Sequence, residues 1–310
     1  MLRSLFLYLS QANWAKDLML RIGFARRTAH RFVAGDTLPE AIDSTRNINQ
    51  RGMLVTLDHL GESVTDEASA LQAADAYLEL LEALDGSDAE ATCSLKLTQL
   101  GLDISEDLCL RNMRRILEKA RTTGNHVTID MESSDYTDIT LQIYRTLRDE
   151  YEFDNVGIVI QAYLYRSEDD MRALASEGAY VRLCKGAYKE PPDRAFPDKS
   201  DVDANFVYLT ELFLNPQACT NGAYLGIATH DEKMLTASKA HVTTHNIPHE
   251  NFEFQMLYGI RGKLQEQLRD DGFKVRLYVP YGTQWYPYFM RRLAERPANV
   301  WFILSNLFRR

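Results

Sequence analysis

"HVTIDMESSDYTDITLQIYRTLRDEYEFDNVGIVIQ" (residues 126–161) decides the fold. It begins with a β-rich run, "HVTIDM", crosses a Ser/Asp turn, and continues as a helix-period segment, "DITLQIYRTLRDEY" (138–151). It ends on a second β-rich run, "VGIVIQ" (156–161). A strand, a helix and another strand in this order indicate a parallel pair. The same alternation continues in both directions. Strands are expected upstream at 53–58 and 93–97, and downstream at 180–184, 224–230, 252–255 and 275–279. Between them lie helical patterns such as "EDLCLRNMRRILEKARTTG" (106–124), capped by Gly124. Eight such units predict a (β/α)8 barrel over residues 46–310, with residues 1–45 as extra helices packed on it.

Composition narrows the class. The chain has 310 residues, 45% apolar and 25% charged, which is ordinary for a globular protein. A formal charge of −9 argues against nucleic acid as a partner. Cys93, Cys109, Cys184 and Cys219 form no C-x-x-C pair, so free thiols in a reducing, cytoplasmic setting are expected. No run reaches the ~20 apolar residues of a spanning helix. The start of the chain is basic, with Arg3, Lys16, Arg21, Arg26, Arg27 and Arg31 against Asp17, and Leu2, Leu5, Phe6 and Leu9 fall at helical spacing. A helix packed on the domain is the favoured reading of that stripe; a peripheral contact with a membrane surface is the other.

The polar residues carry the functional signal. Asp58, Lys96, Asp130, Gln161, Arg182, His230, Gln255 and Tyr278 each fall at or near the C-terminal end of a different expected strand. In barrels that rim holds the active site, while strand interiors are expected to be filled by branched apolar side chains. Buried charges are unfavourable unless paired or bound to a ligand, so eight together point to an enzyme. A metal centre is not expected: His241, His245 and His249 lie four apart, but Pro248 breaks any helix carrying them all. G-x-S-x-G, G-x-G-x-x-G and Walker A patterns are missing from the sequence. "VRLCKGAY" (181–188) runs from a strand into Lys-Gly-Ala, where small residues let the backbone approach a phosphate or a flat ring. With "IATHD" (227–231) at the next strand end, it suits a dinucleotide lying across adjacent strand tips.

These motifs, with "FEFQMLYG", "YVPYG", "SLKLTQLGLD", "TIDMESS" and "YFMRRLAERPANV", resemble the proline dehydrogenase family in its own order. The resemblance spans about residue 30 to residue 305 and is close to the short monofunctional bacterial branch. It implies a distorted barrel holding FAD at the strand tips, with the eighth helix above the mouth. It also implies oxidation of L-proline to Δ1-pyrroline-5-carboxylate, with a quinone as electron acceptor. Asp130 and Arg182 match the family's catalytic positions. Met131, Gln161, Arg182, Lys185, Gly186, Ala187, Thr229 and His230 match its FAD contacts.

The last helix gains a purpose on this resemblance. Tyr288, Arg291, Arg292 and Glu295 sit at i, i+3, i+4 and i+7, a spacing normally used for an apolar stripe. Arg291 and Arg292, with Lys96, would clamp the proline carboxylate, for which guanidinium forks are suited. Tyr278 and Tyr288 would wall the small ring, Glu295 would hold the arginines, and Glu62 would close over the site. Two competing readings stand beside it. One is a barrel lyase using Lys96 or Lys185 as a Schiff base; the other is a flavin-binding, membrane-associated protein without turnover.

Overall fold

The computed structural model describes residues 30–61, 64–286, 288 and 290. Among them eight parallel strands close into a barrel in chain order, with the eighth pairing the first. They are β1 (Leu54–His59), β2 (Ala91–Leu95), β3 (Val127–Ile129), β4 (Val156–Gln161), β5 (Tyr180–Cys184), β6 (Tyr224–Ala228), β7 (Phe252–Leu257) and β8 (Val275–Tyr281). Each expected strand is present, shifted by a few residues at most. The helix expected over 106–124 runs Glu106–Thr122, with Ser105 accepting from Leu108 N at its start and Gly124 at φ +64° just past its end. The segment expected as one helix over 138–151 is α-helical over Thr137–Arg145 and then widens into a π-type turn, Thr146–Glu150.

Ahead of the barrel, helix Leu38–Gln50 packs against β1 and β8 and runs through residue 45. The preceding segment is stitched to the end of β8 by Ala34 N to Pro280 O and Gly282 N to Gly35 O, both 2.9 Å.

Alternation along the strands divides two environments. Val55, Leu57, Cys93, Leu95, Val127, Ile129, Ile158, Ile160, Val181 and Leu183 are fully or almost fully buried in the apolar core that joins strands to helices. The residues between them behave otherwise. Arg182 on β5 bonds Asp130 beside β3 and Gln255 on β7. Tyr180 on β5 bonds Glu253 on β7. Bonds that skip a strand must cross the barrel lumen. The lumen is therefore polar, and the expected filling of branched apolar side chains is corrected. A parallel strand covered by helices buries both faces, so its sequence does not reveal that one face meets charges. Small residues make the room: a Cβ on Gly157 would lie 2.5 Å from the Tyr180 ring and 2.8 Å from His126 Nε2.

Candidate active site at the strand tips

Asp130 follows β3 directly and organises the mouth. Its Oδ1 accepts from Arg182 Nη1 and from Ser94 Oγ, each at 2.7 Å, and its Oδ2 accepts from the Tyr278 hydroxyl at 2.7 Å. Ser94 Oγ also accepts from Arg182 Nη1 at 3.0 Å. Lys96 Nζ lies between two carboxylates, 3.6 Å from Asp58 and 3.7 Å from Asp130. The Arg182 guanidinium lies 5.2 Å from the Tyr278 ring centroid, within cation–π range. So Lys96 and Asp130, just past the ends of β2 and β3, and Arg182 and Tyr278, within β5 and β8, form one connected cluster. Burial, helped by the nearby Asp130 and Asp58 charges, pushes the Tyr278 phenol well above its ordinary range. It acts as a neutral donor.

The other expected residues surround this cluster. Gln161, at the end of β4, donates to Met131 O at 3.1 Å and Glu132 O at 2.8 Å, fastening the loop after β3. Gly186 takes φ +106°, and a Cβ there would meet the Tyr163 ring at 2.4 Å, so only glycine brings Ala187 past that ring. Lys185 is held by Asp203 and by Asp231, the latter at 2.8 Å. Thr229 Oγ1 accepts from Asp231 N, bending the chain beyond β6. His230 Nε2 accepts from Leu257 N at 3.0 Å, which assigns the ring proton to Nδ1. Tyr288 is buried. Glu62, Arg291, Arg292, Glu295 and the Leu2–Leu9 stripe lie outside the described residues.

The residues fit a flavin on two observations. Gln161 Oε1 and Arg182 Nη2 are buried without a hydrogen-bond partner among the described residues, and they stand on adjacent strands. Buried polar groups are normally satisfied, so a spare acceptor beside a spare donor suits a heterocycle carrying both N–H and C=O groups. Burial raises the Cys184 thiol to about 11, so it is not poised as a thiolate.

Comparison with known proteins identifies the family and agrees with the barrel fold. The family model described as proline dehydrogenase matches residues 41–304. The chain belongs to the proline dehydrogenase family. It is 43% identical to proline dehydrogenase 1 of Bacillus subtilis (strain 168), covering 100% of both chains. It is 42% identical to a proline dehydrogenase of Deinococcus radiodurans, covering 90% of this chain and 89% of that one. Among solved structures it is similar to proline utilization A from Bdellovibrio bacteriovorus inactivated by N-propargylglycine. That match has a TM-score of 0.81 and 27% identity, covering 87% of this chain and 33% of the other.

Within this member of the family, Ser94 and the Glu253–Arg276 pair were not singled out from the sequence. Ser94 had an available signal. It stands two residues before Lys96, so strand alternation puts both on one face. Glu253 relates to Gln255 in the same way.

Proposed function

We propose that this proline dehydrogenase family member oxidises L-proline to Δ1-pyrroline-5-carboxylate, the first step of proline degradation, with FAD as its cofactor and a quinone as the final acceptor. The observation that carries the reading is the Arg182–Asp130–Tyr278 cluster, with Lys96 beside it, at the C-terminal half of the barrel.

FAD, held by the residues named below, would supply a hydride acceptor for the ring carbon next to the proline nitrogen. Everything else falls to the protein. Lys96, together with Arg291 and Arg292, binds the substrate carboxylate, and Glu295 orders the arginine pair. Tyr278 and Tyr288 wall the pyrrolidine ring. Asp130 fixes Arg182, Lys96 and Tyr278 relative to one another. Proline must be a neutral amine before hydride leaves, and the cations of Lys96 and Arg182 lower that amine's affinity for its proton. Arg182 also stabilises negative charge developing beside its unused Nη2 arm. Met131, Gln161, Lys185, Gly186, Ala187, Thr229 and His230 hold the cofactor. A membrane quinone would be reached by peripheral docking on the inner face; no helix among the described residues is long and apolar enough to cross a bilayer.

The Schiff-base reading gains no support from the site. Lys96 and Lys185 each sit among two carboxylates, whereas a Schiff-base lysine is activated in an apolar or cationic pocket. The deciding experiment is anaerobic addition of L-proline to the purified protein. A yellow protein that bleaches supports the proposal. A colourless protein trapped by borohydride with a carbonyl substrate would instead be a lyase, and a yellow protein that proline leaves unbleached would be a binding protein without turnover.

A further inference from the structure

Arg182 is held along two edges. Its Nη1 bonds Asp130 and Ser94 at 2.7 and 3.0 Å, and its Nε donates to Gln255 Oε1 at 2.6 Å. A guanidinium is planar, so fixing Nε and Nη1 fixes where Nη2 lies. Asp130 governs one edge. The other edge depends on Gln255.

Chemistry sets the direction of the Gln255 amide. A guanidinium only donates, so Gln255 must offer it Oε1. The carboxylate of Glu253 only accepts, and it takes Gln255 Nε2 at 2.7 Å. Burial works against the Glu253 charge, but Arg276, donating at 2.6 Å, together with the Gln255 and Tyr224 donors outweighs it and holds the carboxyl below its usual range. A buried ion pair one layer below the mouth therefore orients an amide, and the amide orients the arginine. The path crosses β6 at Gly226, which pairs in register with Arg182 on one side and Glu253 on the other. A Cβ on Gly226 would lie 2.4 Å from Gln255 Nε2.

We infer, on the proline-oxidising reading of this site, that Gln255 is a positioning residue for Arg182, oriented by Glu253 and admitted by the gap at Gly226. Gln255 acts through the guanidinium and needs no contact with substrate.

The test uses flavin-loaded enzyme, rapid anaerobic mixing with L-proline, and spectroelectrochemical titration of the bound flavin. In Gln255→Leu the limiting rate of flavin reduction falls about tenfold or more, as for loss of a hydrogen bond to a charged group. The proline dissociation constant moves by less than about threefold, within the range of an indirect effect. The flavin potential becomes more negative. Gly226→Ala moves rate and potential in the same direction while every polar group remains present. Glu253→Gln lowers the melting temperature most, because Arg276 loses its counter-charge. It nevertheless reduces flavin at nearly the wild-type rate, since the new Oε1 still accepts from Gln255.

A merely structural role predicts the reverse ranking, with rate loss following loss of melting temperature. That ranking, or an unshifted flavin potential in Gln255→Leu, overturns the inference. Should Gln255→Leu not fold, Gln255→Met carries the same test with an unbranched side chain. A wild-type flavoprotein that proline does not bleach overturns the proline reading instead. A crystal structure of the Gln255 variant with Arg182 Nη2 unmoved overturns the positioning role whatever the reaction.

Discussion

The Tyr278 hydroxyl donates to Asp130 Oδ2 at 2.7 Å, joining β8 to the end of β3 across the barrel mouth. Both oxygens of Asp130 are thereby engaged, because Oδ1 takes Arg182 and Ser94. Tyr278→Phe keeps the ring and removes the donor. A hydrogen bond to a charged group contributes about 1.5–3 kcal/mol, so kcat/KM for proline is expected to fall about tenfold to a hundredfold. Flavin content should stay at the wild-type level. Steady-state kinetics with a dye acceptor measures this, and an unchanged kcat/KM would remove Tyr278 from the site.

Glu253 is fully buried and paired with Arg276 at 2.6 Å. Glu253→Ala leaves the guanidinium without its counter-charge. Breaking a buried pair from one side costs about 3–5 kcal/mol, to be read from chemical denaturation at neutral pH. A loss below about 1 kcal/mol, the level of an exposed pair, would mean that water reaches Arg276.

His126 lies against Tyr180, ring centroids 4.3 Å apart, and its Nε2 is buried without a hydrogen-bond partner among the described residues. Burial, assisted by the Arg276 charge, lowers its pKa from 6.5 to about 3. The folded-state value is the depressed one. The associated stability is therefore complete above pH 6.5 and is lost as the pH falls towards 3, because the unfolded chain binds the proton first. His126→Leu should flatten the dependence of unfolding free energy on pH across that window. An equally steep acid limb in the variant would assign it to other groups.

Arg291 and Arg292 lie outside the described residues, and the role proposed for them rests on the family resemblance together with their spacing with Tyr288 and Glu295. Removing one partner of a desolvated charge pair costs about 2–5 kcal/mol, or roughly thirty to several thousandfold in affinity. Arg291→Met and Arg292→Met should each raise the proline KM strongly with FAD retained, and lysine should restore only part of the loss. Flavin titration with proline reads the affinity. A shift within about twofold for both variants, the size of an exposed contact, would dismiss the carboxylate clamp.

The barrel was legible because strands and helices announce themselves by different periods. Residues 126–161 alone contain a complete unit, and its repetition leaves few topologies open. The mouth was legible for the same reason. Asp130 ends an apolar run, Arg182 and Tyr278 interrupt theirs within two or three residues of the strand end, and the structure joins all three through one carboxylate. The layer beneath was hidden. In "FEFQ" a glutamate between two phenylalanines gives no hint that Arg276, 23 residues later, meets it inside the lumen. Pairing across a closed sheet depends on register, and register is a property of the assembled strands rather than of any one segment.

The polar lumen also bears on whether the barrel can be divided. Glu253 and Arg276 come from the last two strands, and β8 is held by β1 from the other end of the sheet. A chain stopped before β8 would hold Glu253 among Tyr180, Tyr224 and Gln255 with no cation to balance it. Such a fragment gains apolar contacts with each added strand, yet it retains an uncompensated charge until the ring closes. A chain truncated between β7 and β8 is therefore not a self-sufficient module, and β8, held in the sheet by β1, supplies the charge that balances Glu253.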